Sequence, residues 1–251
     1  MRTGAPLVVA HRGVPNLYPE NTLVSLSRAL SYPHFAHGLE LDVRLSQDGV
    51  VYVFHDEDGE RLIGVSGGVE SRSSEELDRL RVSGETIPRL SQVIDSCLSL
   101  TPEGESRVLN VEVKMPRDPA KMVSALRPLL DPLVDDARVA LVVSSFDPRV
   151  LAQAIEQHAP WRLALLYESL DMLACLDGLE VSGAVDLHPA ESLVTAEHMA
   201  TYARAASGEA RRVVRTWTVD NPHRARALAN LGVDAIITNE PARIRRALWS
   251  C

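Results

Sequence analysis

The chain has 251 residues, 45% of them hydrophobic and 24% charged, the balance of a globular protein with one sizeable core. A formal net charge of -8 disfavours nonspecific nucleic-acid binding, which needs a positive field. The first apolar run, residues 7–10, is too short for a signal-peptide core, and no run approaches membrane-spanning length; no membrane span and a cytoplasmic location are the expectations.

Short apolar runs recur along the chain at 7–10, 39–45, 50–54, 108–113, 139–143, 163–166, 184–187, 213–219 and 235–237. Several are rich in β-branched residues, as buried parallel strands are. Helical patterns lie between most of them. After Asn21 the apolar positions are Leu23, Leu26 and Leu30, and Pro88 opens a segment with Leu90, Val93, Ile94, Cys97 and Leu98 on one side. Asp118-Pro119, Asp147-Pro148 and Asn221-Pro222 each read as an N-cap followed by Pro at the first helical position. Pro241 opens a last amphipathic stretch.

This alternation predicts an α/β domain with a parallel sheet. Nine runs is one more than an eight-stranded barrel needs. The runs at 39–45 and 50–54 are joined by Ser46-Gln47-Asp48-Gly49, which leaves no room for a helix; the simple count breaks down here, and the sequence leaves open which run lies outside the barrel. Residues 57–85 are polar and carry five glycines. They read as an inserted subdomain or lid. Cys97, Cys175 and Cys251 are far apart and lack metal-ligand spacing, which suits reduced, structurally incidental thiols.

Polar residues gather where apolar strands end. His11-Arg12 follows the first run and His55-Asp56 the third. Side chains alternate along a strand, so Glu40 and Asp42 share one face, as do Glu112 and Lys114. In parallel barrels chemistry collects at the C-terminal strand ends. Three carboxylates, two imidazoles, an Arg and a Lys would meet there. Hard oxygen ligands suit Mg²⁺ or Ca²⁺. Two histidines can serve as general acid and base, and cations can offset the charge of a phosphoryl transition state. Taken singly, each group has a plainer reading. Glu40 and Asp42 suit a half-exposed antiparallel strand, His11 a core histidine, Lys114 a salt bridge to Glu112, and Asn21 a helix N-cap. The functional reading rests on their joint recurrence.

The ordered set His11-Arg12-Gly13, Pro19-Glu20-Asn21-Thr22, Glu40-Leu41-Asp42-Val43 and Asp48-Gly49 leading to His55-Asp56 resembles the N-terminal signature of the glycerophosphodiester phosphodiesterases. Ile87-Pro88-Arg89-Leu90, Asn110-Val111-Glu112-Val113-Lys114, Ser145-Phe146 and Trp217-Thr218-Val219 extend the resemblance over most of the chain. It implies a (β/α)8 TIM-type barrel of the phospholipase C-like phosphodiesterase kind, one domain over residues 1–251, with a small insertion after the third strand. It also implies one divalent cation, Mg²⁺ or Ca²⁺, held by Glu40, Asp42 and Glu112. The catalytic histidines match His11 and His55, and Arg12 and Lys114 match phosphate contacts. Asn21 and Trp217 are expected at the substrate. The implied partner is a small glycerophosphodiester, cleaved to sn-glycerol 3-phosphate and an alcohol; an oligomer is not read from the sequence.

Three departures are visible. Asp220 stands where the family commonly has Asn after Trp-x-Val. Thr238-Asn239-Glu240-Pro241 replaces the common Thr-Asp ending, and Ile63-Gly64-Val65-Ser66-Gly67-Gly68 replaces a threonine-rich, glycine-spaced run. A lysophospholipase D acting on lipid-tailed substrates is the nearest rival, and a noncatalytic phosphate-binding barrel is a rival of another class.

Overall fold

The structure, a computed structural model, describes residues 4–31, 35–179, 185–202 and 212–249. The chain runs β1 (Leu7–His11), α1 (Leu23–Ser31), β2 (Gly38–Leu45) and β3 (Val51–Val53). Then come α2 (Glu60–Ile63), α3 (Ser74–Leu77), the short pair β4 (Arg81–Val82) and β5 (Glu85–Thr86), and α4 (Leu90–Leu100). Strand and helix alternate through β6 (Arg107–Val113), α5 (Pro119–Leu130), β7 (Val139–Ser145), α6 (Pro148–Glu156) and β8 (Arg162–Tyr167). Last are β9 (Asp186–Pro189), α7 (Ala196–Tyr202), β10 (Arg215–Thr216), α8 (Pro222–Leu231), β11 (Ala235–Thr238) and α9 (Pro241–Trp249).

Eight strands pair in parallel in the order β10-β11-β1-β2-β6-β7-β8-β9. Parallel bridges Leu187–Val214 and Ala190–Trp217 join β9 to β10, so the sheet closes into the expected barrel. The run at 213–219 contributes only two residues of continuous strand, and the run at 184–187 lies in the structure from residue 185 onward. Cys251 lies outside the described residues; Cys97 and Cys175 are free thiols.

The supernumerary run is β3. It pairs antiparallel with the far end of β2, Val43 against Val53 and Leu45 against Val51. The turn between them needs Gly49 at φ 88°, a conformation only glycine adopts at no steric cost. The hairpin folds β3 back over the barrel mouth, where Phe54 N donates to Asp42 O. His55 therefore arrives beside Asp42.

Strand alternation sorts the side chains. Leu39, Leu41 and Val43 pack with helix residues such as Leu26, Leu90 and Val93 in the main core, while Glu40 and Asp42 point into the barrel, fully buried. Asp118, Asp147 and Asn221 cap α5, α6 and α8 through their side chains, each with Pro in the first turn. The interior is apolar at Val9, Val108, Ala235 and Ile237. At the N-terminal ends of β8, β9 and β10, Asp186 is buried between Arg162 and Arg215, with Nη1 of Arg215 2.7 Å from Oδ2.

Residues 57–85 form a small insertion with its own core. Val69, Leu77 and Val82 bury against Tyr52, Phe54 and Ile87, and Ser73 and Glu76 form a reciprocal capping box at α3. Among the described residues no helix is long and apolar enough to cross a membrane.

Candidate active site

At the C-terminal ends of the strands lies an open pocket of about 220 Å³. His11, Arg12, Glu40, His55, Glu112, Lys114 and Trp217 line it, together with Asn110, Phe146, Glu168 and Thr218.

Its acidic floor comes from β2 and β6, which run side by side with Asp42 registered on Glu112. Glu40, Asp42 and Glu112 place carboxylate oxygens within 4.8 Å of one another, all buried. Burial, then Asp42, raises Glu40 well above the usual carboxylate range. The same causes bring Glu112 to about 7 against the pull of Lys114. Burial acts on Asp42 too, yet Arg12 and Lys114 hold it below its usual value. Glu40 Oε1 and Asp42 Oδ1 are buried with no hydrogen-bond partner. Unsatisfied buried carboxylate oxygens are costly, and three converging hard ligands are the donor set of a divalent cation. The residues fit such an ion. A second acidic cluster, Glu20, His55 and Asp56, fits less well because guanidinium groups already occupy its oxygens.

Two cations face the floor. Lys114 Nζ donates to Glu112 Oε1 at 2.6 Å, lies 3.5 Å from Asp42 Oδ1 and sits over the Phe146 ring. Arg12, at φ 54°, places Nε 3.1 Å from Asp42 Oδ2 and donates Nη1 to Glu20 at 2.9 Å. The turn after β1 is tight: a Cβ on Gly13 would meet Ser25 at 2.5 Å.

The imidazoles come from two strand ends, His11 at the close of β1 and His55 just beyond β3. His11 Nε2 lies 3.8 Å from Glu40 Oε2, and its Nδ1 bonds Asn239 Oδ1 at 2.8 Å. Burial and then Arg12 lower its pKa to about 4. His55 Nδ1 bonds Asp56 Oδ1 at 2.7 Å; burial lowers its pKa, with Asp42 pulling the other way. Trp217 donates Nε1 to His188 O at 2.7 Å and meets the Phe146 ring edge-on.

Asn21 is placed differently from the other expected site residues. It is 2% exposed and does not line the pocket; its Nδ2 donates to Asp42 Oδ2 at 2.8 Å. Nor does it cap α1, since Thr22 Oγ1 accepts from Ser25 N there. No residue of the insertion lines the pocket. The insertion reaches the site through Arg61, which bonds Asp56 through Nε and Nη2 (2.6 and 2.7 Å) and Glu20 through Nη1 and Nη2 (3.0 and 2.8 Å). One guanidinium thus holds both carboxylates that in turn hold His55 and Arg12.

Reading strand ends alone missed Glu168, although it follows β8 as His11 ends β1. It also missed the supporting layer of Glu20, Arg61, Asp220 and Asn239, whose sequence separations carry no local signal; Asp56, read beside His55 at a strand end, belongs to the same layer. Two of the departures prove to be neighbours: Asn239 Nδ2 donates to Asp220 Oδ2 at 2.8 Å.

A model of the Glycerophosphoryl diester phosphodiesterase family matches residues 11–243. A glycerophosphodiester phosphodiesterase of Bacillus altitudinis is 30% identical over 94% of this chain and 95% of its own. One from Caldanaerobacter subterraneus is 28% identical over 94% of each. A solved phosphodiesterase from Oleispira antarctica, in complex with the product sn-glycerol-3-phosphate, superposes with TM-score 0.79 at 25% identity, covering 98% of both chains. The fold, the pocket and a match over nearly the whole length agree, and the chain belongs to the glycerophosphoryl diester phosphodiesterase family.

Proposed function

We propose that the protein hydrolyses glycerophosphodiesters to sn-glycerol 3-phosphate and an alcohol, with His11 and His55 as the acid–base pair. The observation that carries this reading is the single pocket in which two imidazoles and two cations stand over three buried carboxylates. Held by Glu40, Asp42 and Glu112, a divalent cation, Mg²⁺ or Ca²⁺, would supply Lewis-acid charge neutralisation.

The chain's own groups do the rest. Arg12 and Lys114 offset charge on the non-bridging phosphoryl oxygens, which grows in the transition state. One imidazole takes a proton from the attacking hydroxyl as the new P–O bond forms; if that hydroxyl is the substrate's own rather than water's, the step gives a cyclic phosphate that water then opens in a second, like step. The other gives a proton to the alkoxide as the old P–O bond breaks. Attack and departure are in line, so the two imidazoles are assigned to opposite faces of the phosphoryl group. Trp217 and Phe146 supply an apolar wall. Asn21 serves the substrate through Asp42, and the insertion serves as a strap on the mouth through Arg61.

A second reading has its own support. Leu17, Met115 and Leu170, the last opening a 3-10 helix, are exposed in the segments following β1, β6 and β8, on the pocket's side of the barrel, and would suit a lipid-tailed substrate. A panel of glycerophosphodiesters and lysophospholipids with Mg²⁺, Ca²⁺ and Mn²⁺ separates the readings. Release of sn-glycerol 3-phosphate from short head-group diesters supports the first. Turnover of lysophospholipids alone replaces it with the second, and no turnover of either class overturns both.

A further inference from the structure

The hydrogen bonds behind His11 form a directional chain. Asp220 sits on the loop between β10 and α8. Its carboxylate only accepts: Oδ2 takes Asn239 Nδ2 at 2.8 Å, and Oδ1 takes Asn239 N at 2.8 Å and Thr238 Oγ1 at 2.9 Å. Three donors from the end of β11 therefore fix that carboxylate, and it fixes the Asn239 amide. Turning the amide over would set its oxygen against an acceptor, so Oδ1 faces away from Asp220. That oxygen is the group 2.8 Å from His11 Nδ1. It can only accept, so in the neutral ring the proton is on Nδ1. The lone pair is then on Nε2, which looks toward Glu40 and the pocket.

We propose that Asn239 and Asp220 are positioning residues that hold His11 as its Nδ1–H tautomer with the Nε2 lone pair directed into the pocket. Asn239 acts through His11, and Asp220 acts through Asn239. A histidine's tautomer is set by the bond its other nitrogen makes, and the wrong tautomer cannot take a proton at the reacting atom. The catalytic consequence rests on the proton-transfer reading of His11 given above; the tautomer itself does not.

The test uses the full chain with Mg²⁺, labelled with ¹⁵N-histidine, and reads the His11 tautomer from ring nitrogen shifts and two-bond correlations, assigned with His11→Gln. The wild type should show Nδ1–H. In Asp220→Asn the carboxylate that fixes the amide is gone, and an amide at 220 can donate to Asn239 Oδ1. The Asn239 amide then turns its NH₂ to His11, and the proton should move to Nε2. The double variant Asp220→Asn with Asn239→Asp places an acceptor behind His11 and a donor behind that acceptor, and should restore Nδ1–H. On a glycerophosphodiester, kcat should fall about tenfold or more in Asp220→Asn, the size usual when a supporting partner is lost, and recover in the double variant with KM little changed.

An Nε2–H tautomer in the wild type overturns the proposal, whatever the variants do. So does an Asp220→Asn protein that keeps the wild-type tautomer, or a double variant no better than the single. A wild type that shows Nδ1–H but hydrolyses no glycerophosphodiester overturns the functional reading and leaves the positioning standing.

Discussion

Asn21 donates its side-chain amide to Asp42 across 2.8 Å, from a left-handed backbone position at φ 58°. The bond is buried and serves a carboxylate of the acidic floor. A hydrogen bond to a charged group contributes roughly 1.5–3 kcal/mol. Asn21→Ala removes it and places Ala in a conformation it disfavours. Denaturant unfolding should show a loss of about that size. Asn21→Asp should also weaken the protein, because it sets a second carboxylate against Asp42. An Ala variant as stable as wild type would show that Asp42 needs no such support.

The buried carboxylates should give the protein a metal-linked stability. Mg²⁺, Ca²⁺ or Mn²⁺ at 100 times its dissociation constant should stabilise the fold by about 2.7 kcal/mol, seen as a rise in thermal midpoint. Glu112→Gln should abolish the rise, and chelation should abolish turnover, with recovery on adding the ion back. Full activity after exhaustive chelation would exclude a metal from the reaction.

His11→Ala and His55→Ala should each lower kcat by about 10²–10⁴-fold, the usual contribution of a placed acid or base. Both should retain the metal-induced rise in thermal midpoint. Loss of that rise in either variant would recast its histidine as a ligand. Near-normal kcat would remove it from the mechanism.

Arg61 is 52% exposed at its side chain, yet it bonds both Glu20 and Asp56 in fork geometry. Burial pushes the Asp56 carboxyl up, but the bonds and charge of Arg61, then of His55, outweigh it and hold it down to about 2. Arg61→Ala should reduce kcat/KM about tenfold by loosening Arg12 and His55 together, with little change in thermal midpoint. Lysine cannot reproduce the fork, so Arg61→Lys should not rescue. Wild-type kcat/KM in the Ala variant would show that the insertion does not act on the site.

Two histidines away from the floor should each contribute an acid-sensitive share of stability. Val8 N donates to His37 Nδ1 at 2.9 Å, so that nitrogen must stay unprotonated. Burial, then Arg245, lowers the His37 pKa to about 4. Burial, then Arg215, lowers His188 well below its usual value. Each folded-state pKa lies below the unfolded value of about 6.5. Above that value neither state binds the proton. Below it the unfolded chain does and the fold does not, so stability falls with falling pH. The raised carboxyls of Glu40 and Glu112 act in the opposite sense over the same window, so the check is a difference: between pH 7 and pH 5 the thermal midpoint of His37→Gln should fall less, or rise more, than that of the wild type. An unchanged slope in that variant would rule His37 out as a source.

Much of the site was legible because strand alternation is a local rule. Glu40 and Asp42 on β2, and Glu112 and Lys114 on β6, had to share a face once those runs were strands, and the histidines had to stand at strand ends. The proline-marked caps of α5, α6 and α8 were equally local. Tertiary structure alone decided that β3 leaves the barrel, because a three-residue run can pair either way and only the turn at Gly49 and the free edge of β2 choose. It alone set Asn21, expected at the substrate and with a helix cap as its plainer reading, against Asp42. It alone joined Arg61 to Glu20 across 41 positions and His11 to Asn239 across 228. Barrel closure sets β11 beside β1, and side chains that meet only through closure leave no periodic trace in the chain.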